Sequence, residues 1–251
     1  MRLASSKGIE VLCFPEGFLD SHKSVEKLLE LAKDCGIWVV TGYDEMGETE
    51  EGFQSAIIVN DQGRIVGKHK KTYLSTSEIE DRRTVGDKLD VFNTEFGKFG
   101  VVICAEILCP EVTRVLCLKG AEIIFHPVGV GMDNQLQYDS WKSLIQVRAI
   151  ENILYFVVST HDKASRRTKD GTSRPLGLIV NSGGKILAEA KNSKLISAVL
   201  DLSKRDEDAR KGAFYGSFSN RISRRRPELY SVLASSNLSP TCQHSHVSID
   251  P

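Results

Sequence analysis

The sequence predicts an α/β domain, because short apolar runs alternate with segments of helical periodicity and no linker divides them. The chain has 251 residues, of which 41% are hydrophobic and 26% charged, so it can bury a full core and is not a disordered chain. We expect a domain over residues 1–233. Residues 234–251 are polar and rich in serine, which predicts a disordered tail.

The first half of the chain carries the clearer periodicity. Val25, Leu28, Leu29 and Ala32 follow the spacing i, i+3, i+4, i+7 of an amphipathic helix, and Gly36 ends it. The predicted elements, in chain order, are a strand over Ile9–Phe14, this helix, a strand over Ile37–Thr41, a hairpin of Ala56–Val59 and Ile65–Val66, and strands over Val91–Thr94 and Phe99–Cys104.

The second half repeats this alternation of strands and helices. Pro110 stands at the start of a helical segment and Gly120 just after its end. The predicted elements are a helix over Pro110–Lys119, a strand over Ile123–Phe125, a helix over Trp141–Ile150, a strand over Leu154–Ser159, a hairpin of Leu178–Val180 and Ile186–Leu187, a last strand over Ile196–Leu200 and a solvated helix over Arg205–Arg210.

Charge and cysteine content exclude several classes of protein. Lys+Arg and Asp+Glu both number 33, and the basic run Arg221–Arg226 lacks interleaved aromatic residues, so we expect no nucleic-acid partner. We also expect no membrane partner, since no apolar run is long enough to span a bilayer. The 6 cysteines form no CxxC pair, which argues against a metal site and indicates reduced thiols in the cytoplasm.

Three short segments carry residues suited to chemistry. Glu16 follows an apolar strand and a proline, which is where α/β folds place functional carboxylates. Lys71 lies in a basic segment after the first hairpin. Cys104 ends a buried strand just before a helix, in the manner of a nucleophile elbow. Each residue alone has a plainer interpretation, as an exposed carboxylate, a solvated lysine or a core thiol.

Taken together, these segments resemble the nitrilase, or carbon–nitrogen hydrolase, superfamily over residues 7–230. That family has a strand ending in Pro-Glu, a lysine after a hairpin and a cysteine after "Val-x-Ile", and these fall on Glu16, Lys71 and Cys104. Further matching segments are Lys119–Ile124, Trp141–Asn152, Asn181–Leu187 and Arg225–Tyr230.

The resemblance implies hydrolysis of a non-peptide C–N bond in a small amide or N-carbamoyl substrate. Glu16 would take the proton of Cys104, whose sulfur attacks the substrate carbon and forms a thioester. Lys71 and the backbone N–H of Ala105 would stabilise the oxyanion. No cofactor is implied.

The family also has a second glutamate between the lysine and the cysteine. Glu78 and Glu80 are both candidates, and the distance to Gly86 favours Glu80 as the substrate-positioning carboxylate. His126 and Trp141 are further candidates for the pocket wall, with core packing as the alternative for each.

The fold that the resemblance implies is a four-layer α-β-β-α sandwich, and a homo-oligomer is expected. The chain is expected to lack the first strand and helix of that fold, as a fragment, a splice form or a mis-started gene model would, or with a neighbouring subunit covering the gap. The short N-terminus keeps an alternative open, in which the chain is a non-catalytic binding or scaffold protein.

Overall fold

The computed structural model describes residues 1–45, 52–161, 175–190, 195–212 and 218–234. The helices are α1 (Arg2–Ser5), α2 (His22–Cys35), α3 (Thr76–Glu80), α4 (Pro110–Leu118), α5 (Gln135–Asn152), α6 (Arg205–Gly212) and α7 (Phe218–Ser223), with short 3₁₀ turns at Cys104–Leu108, Leu202–Lys204, Pro227–Leu229 and Ser231–Ala234. The predicted tail, 234–251, lies outside the described residues apart from Ala234.

The strands form two sheets. They are β1 (Val11–Cys13), β2 (Trp38–Asp44), β3 (Gln54–Val59), β4 (Ile65–Lys70), β5 (Val91–Thr94), β6 (Gly97–Val101), β7 (Ile123–Val128), β8 (Tyr155–Thr160), β9 (Leu178–Val180) and β10 (Ile186–Glu189). The first sheet has the order β1-β2-β3-β4, and the second has the order β10-β9-β8-β7-β6-β5. β1 is parallel to β2, and β6, β7 and β8 are mutually parallel, so their carboxyl ends share an edge.

The sheets pack face to face between helices, which confirms the four-layer sandwich. Ala56 and Ile58 of the first sheet share a core with Phe99 and Phe125 of the second. The outer face of the first sheet packs on α2, where Leu28 joins a separate apolar cluster. α4 and α5 pack against each other and α5 lies on β8 and β9, which supplies the fourth layer.

Local sequence features explain where the helices begin and end. Ser21 caps α2 by accepting from the N–H of Ser24, and Gly36 ends the helix in the left-handed conformation that glycine adopts without strain. α5 begins earlier than the predicted Trp141, because the side chain of Asn134 accepts from the N–H of Gln137 at 3.0 Å. Apolar periodicity does not report such caps.

One predicted strand is wrong. The sequence of Ile196–Leu200 is typical of a strand, but the described structure has no strand there. Val199 in this segment is 91% exposed. The segment instead forms one wall of a cavity of about 690 Å³ beside β1. An apolar, β-branched sequence favours extended backbone, but a strand also needs a hydrogen-bonded neighbour.

Candidate active site

Lys71 lies at the centre of a buried cluster of charged groups. It follows the last residue of β4, and its backbone N–H donates to the carbonyl of Gln54 at 2.8 Å. Its side chain is 1% exposed, and Nζ donates to Oε1 of Glu16 and to Oε1 of Glu78, each at 2.7 Å. The ammonium has three N–H bonds, so the carboxylates of the described residues occupy two of them.

Glu16 is held from several directions. It lies beyond the carboxyl end of β1, and its Oε2 accepts from the backbone N–H of Gly129 at 2.9 Å. A Cβ on Gly129 would lie 2.5 Å from that oxygen, so a larger residue there would displace the carboxylate. Nε2 of His161 hydrogen-bonds the carbonyl oxygen of Glu16 at 2.8 Å, which ties the end of β1 to residues that follow β8.

Cys104 occupies a strained turn between β6 and α4. It begins the 3₁₀ turn, and its φ of 43° is in the left-handed region that residues with a Cβ rarely adopt. The residue is 6% exposed, and its thiol lies near enough to Glu16 and Lys71 for both charges to act on the thiol pKa. Ala105 comes next and is also buried, and its N–H lies in the first turn, where backbone donors have no acceptor within the helix.

The two glutamates differ in acidity because their surroundings differ. Burial raises the pKa of Glu16, and the charge of Lys71 offsets this only in part. Burial acts in the same direction on Glu78, but Lys71 and hydrogen bonds from Ser75 outweigh it and lower the pKa. A pair of carboxyl groups with separated pKa values is typical of sites where one group exchanges protons and the other stays ionised.

The pKa values of Cys104 and Lys71 are also shifted. Burial, and next the charge of Glu16, raise the pKa of the Cys104 thiol, although Lys71 acts in the opposite direction. Burial disfavours the charged form of Lys71, but the charges of Glu16, Cys104 and Glu78 together raise its pKa. The cluster therefore favours a protonated thiol beside an ammonium ion.

Glu106 is a buried carboxylate that the sequence analysis did not single out. It accepts from the N–H of Ile103 at 2.6 Å, from the N–H and Oγ1 of Thr72 at 2.6 and 2.7 Å, and lies 3.0 Å from Nε2 of His69. Burial would raise its pKa, but His69 and these donors lower it. Glu106 thus joins the Cys104 turn to the segment that carries Lys71. Its position two residues after the cysteine, within an apolar stretch, was the available indication.

Glu78, rather than the favoured Glu80, contacts Lys71. Glu78 lies in the first turn of α3, and its Oε2 accepts from the N–H of Ser75 at 2.6 Å. Glu80 is the last residue of that helix and is exposed. The Ser75-x-x-Glu78 spacing is a capping box, and this pattern identifies the residue that the distance to Gly86 did not.

His126 lies on β7 and is buried in the protein interior rather than on a pocket wall. It is fully buried, its Nδ1 lies 2.6 Å from the carbonyl oxygen of Val102, and Nε1 of Trp141 donates to its Nε2 at 3.4 Å. Burial lowers the pKa of His126 to about 4, so the ring is neutral. Both ring nitrogens are engaged, which leaves His126 as a structural residue and corrects its assignment to substrate positioning.

No group of three or more His, Cys, Asp or Glu side chains in the part of the chain that the structure describes is arranged to hold a metal ion. None of the helices in the same part of the chain combines the length and apolar character needed to cross a bilayer.

Comparison with known proteins agrees with this architecture. The family model described as Carbon-nitrogen hydrolase matches residues 1–210. N-carbamoylputrescine amidase of Arabidopsis thaliana is 30% identical over 228 residues, which cover 85% of this chain and 74% of that protein. An omega-amidase of Xenopus tropicalis is 25% identical over 222 residues, which cover 79% of this chain and 79% of that protein. The crystal structure of a carbon-nitrogen hydrolase from Helicobacter pylori superposes with a TM-score of 0.79 at 21% identity, covering 94% of this chain and 89% of that one.

The chain therefore belongs to the carbon-nitrogen hydrolase family, which confirms the resemblance drawn from its motifs. The amidases among its relatives support hydrolysis of carbon–nitrogen bonds as the class of activity.

Proposed function

We propose that the chain is a cysteine-dependent amidase that hydrolyses a non-peptide C–N bond of a small amide or N-carbamoyl compound. The observation that carries the proposal is the buried ammonium of Lys71, held between Glu16 and Glu78, with the buried thiol of Cys104 near enough to feel the charges of Glu16 and Lys71. Such an arrangement provides a nucleophile, a proton acceptor and a fixed positive charge within one sheltered site.

In the first half of the reaction, Cys104 Sγ attacks the carbonyl carbon and its proton passes to Glu16. The raised pKa of the thiol makes this coupled transfer more favourable than a preformed thiolate. The third N–H of Lys71 and the N–H of Ala105 stabilise the oxyanion. When the oxyanion collapses, the C–N bond breaks, Glu16 returns the proton to the nitrogen, and ammonia or an amine leaves.

In the second half, water attacks the thioester carbon and gives its proton to Glu16. Collapse of this second oxyanion breaks the C–S bond, and the proton returns to the sulfur of Cys104. The product is a carboxylic acid, or a carbamic acid that loses CO₂ where the substrate was N-carbamoyl. Glu78 stays ionised throughout and keeps Lys71 charged and oriented.

The test is an assay for ammonia or amine release over a panel of small primary amides and N-carbamoyl amines. We expect at least one compound to be cleaved, and Cys104→Ala to abolish the release. Cys117→Ala is the matched control, since Cys117 is also buried but lies in α4. A panel with no cleavage, or release that survives Cys104→Ala, would contradict the proposal.

The scaffold alternative predicts a different thiol chemistry. If Cys104 belongs to a working site, iodoacetamide should label it at neutral pH far faster than Cys13 or Cys117, because Glu16 accepts its proton during the attack. Peptide mass spectrometry of a labelling time course measures the three rates. Equal and slow labelling would support a non-catalytic binding protein.

We also propose that the protein assembles as a homo-oligomer. Exposed apolar side chains on the outer helices, Leu118 and Val147, are consistent with a contact through that face. Light scattering of the purified chain measures the assembly, and a monomer at micromolar concentration would overturn this part.

A further inference from the structure

Gln54 lies beside the proposed catalytic groups on the interior face of the first sheet. It opens β3, where Ala56 and Ile58 at alternate positions face the core between the sheets. Its carbonyl oxygen accepts from the N–H of Lys71, so the two residues are neighbours across the strands. A Cβ built on Gly17 would lie 3.6 Å from Nε2 of Gln54, which places the side-chain amide next to the backbone that follows Glu16.

The side-chain amide oxygen of Gln54 is buried without a hydrogen-bond donor among the described residues. The residue as a whole is 9% exposed. A buried amide oxygen that gives up water without a replacement donor destabilises a fold, so few such groups persist in native proteins. A group of this kind is compatible with a site in which a substrate supplies the missing donor.

Within the described ranges, the other buried side-chain atoms without a hydrogen-bond partner differ from this one in position. They are Nε of Arg83, Oγ1 of Thr113 and Oδ1 of Asn152. The guanidinium of Arg83 is bound to Asp44 through its other nitrogens, and Thr113 and Asn152 lie on α4 and α5. Among these atoms, Oε1 of Gln54 belongs to the residue that adjoins both Lys71 and the chain around Glu16.

We propose that Oε1 of Gln54 accepts a hydrogen bond from the nitrogen that leaves the substrate, and so selects amide and carbamoyl nitrogen over ester oxygen. This inference rests on the proposed function. In the reaction described above, the substrate oxygen binds Lys71 and the leaving –NH₂ faces Glu16, which protonates it. An –NH₂ group has two N–H donors, and Gln54 is placed beside Glu16 to accept from one of them.

The test compares two matched substrates, one with N–H donors on the leaving group and one without them. The two probes are the primary amide that the panel shows to be cleaved fastest and the methyl ester of the same acid, or the methyl carbamate if a carbamoyl compound is fastest. For Gln54→Met, which keeps an unbranched side chain but exchanges the amide oxygen for a weakly accepting thioether, we expect kcat/KM to fall about tenfold on the amide and less than about twofold on the ester. Gln62→Met, at an exposed hairpin position, should change neither value.

The outcomes separate this inference from the function it rests on. A wild-type chain that cleaves no compound of the panel overturns both. An active wild type combined with an unchanged amide-to-ester ratio in Gln54→Met overturns the role of Gln54 alone, as does an equal loss on both probes, which a purely structural residue would give. Gln54→Ala, which removes bulk instead of exchanging it, must give the same change of ratio, and it keeps the test decisive if Gln54→Met does not fold.

Discussion

Strand β1 borders two regions that differ sharply in how their polar groups are bonded. Beyond its carboxyl end, Glu16 accepts hydrogen bonds from Lys71 and Gly129 through its carboxyl group. Along its side, the N–H of Trp38 donates to Glu10 and that of Phe14 to Val40, so the backbone groups of alternate residues bond to β2. Those of Val11 and Cys13 therefore face away from β2, toward the cavity of about 690 Å³.

This contrast shows which side chains the fold holds in place and where it leaves space. Elements from both sheets fix the proposed catalytic groups: Glu16 follows β1, Lys71 follows β4, and Cys104 lies in the turn after β6. The cavity lies between β1 and residues 195–200, with Phe125, Val157 and Ile179 of the second sheet among its lining. We therefore expect substitutions at the site to reduce rate and stability strongly, and substitutions in the cavity to affect stability alone.

The largest effect is expected for Lys71→Ala. This change removes an oxyanion donor and leaves Glu16 and Glu78 as buried carboxyl groups without their shared partner. Loss of one such donor lowers kcat by about 10²–10³. Steady-state kinetics on the fastest panel compound measures it, with Cys13→Ala in the cavity as the control. A Lys71→Ala enzyme with more than about a tenth of wild-type kcat would contradict the assignment.

Glu106→Gln should lower both stability and rate. The amide has one oxygen in place of two, and so it cannot satisfy Ile103, Thr72 and His69 at once. Disrupting a buried charged network of this kind costs about 2–4 kcal/mol, which corresponds to a fall of about 5–10 °C in Tm. Calorimetry measures the transition. Glu111→Gln on the exposed side of α4 is the matched control, and equal Tm values for the two variants would refute the linking role.

Glu78→Gln should move the pH profile of activity toward lower pH. Burial raises the pKa of Glu16, and the negative charge of Glu78 contributes to that rise, so its removal lets Glu16 lose its proton more easily. Glu16 must be ionised to act as the base, and the acid limb of kcat/KM therefore shifts downward. The pKa of Lys71 also falls, which moves the basic limb in the same direction.

The matched control for this shift is Glu80→Gln, which removes the same charge from an exposed position in the same helix. Its profile should coincide with that of the wild type. If Glu80→Gln moves the acid limb and Glu78→Gln does not, then Glu80, and not Glu78, is the carboxylate that acts on Lys71 and Glu16.

The smallest effect is expected in the cavity. Val157→Phe extends an apolar side chain into the space beside β1. At about 25 cal/mol per Å² of apolar surface buried, the added phenyl ring stabilises the fold by about 1 kcal/mol, or about 2–4 °C in Tm. The value of kcat/KM should stay within about twofold of wild type. A large loss of activity with a raised Tm would show that the two regions are coupled.

The sequence allowed most of the fold to be predicted, because apolar periodicity and turn residues are local properties. Helix α2 and both hairpins follow directly from them. The segment Ile196–Leu200 could not be judged in the same way, since pairing depends on a neighbour remote in sequence. The convergence of Glu16, Lys71 and Cys104 was likewise not visible in spacing and came only from family resemblance.

The remaining parts of the site depended on contacts between side chains. The distance to Gly86 favoured Glu80 over Glu78. A distance along the chain carries no information about which side of a helix turn faces the lysine, so it selected the wrong residue. Glu106 was overlooked because a carboxylate in an apolar run becomes favourable only when backbone donors from another strand surround it. His126 was assigned to the pocket because periodicity gives no information on which ring nitrogens are already bonded.

The positive φ of Cys104 has a consequence for how this protein can change over time. Glycine adopts that backbone conformation more easily than any other residue, so the exchange that removes the thiol is also one that relaxes the turn. Selection for stability alone would therefore favour loss of the sulfur. Its retention in a lineage would report that the chemistry, and not the fold, is what selection maintains at this position.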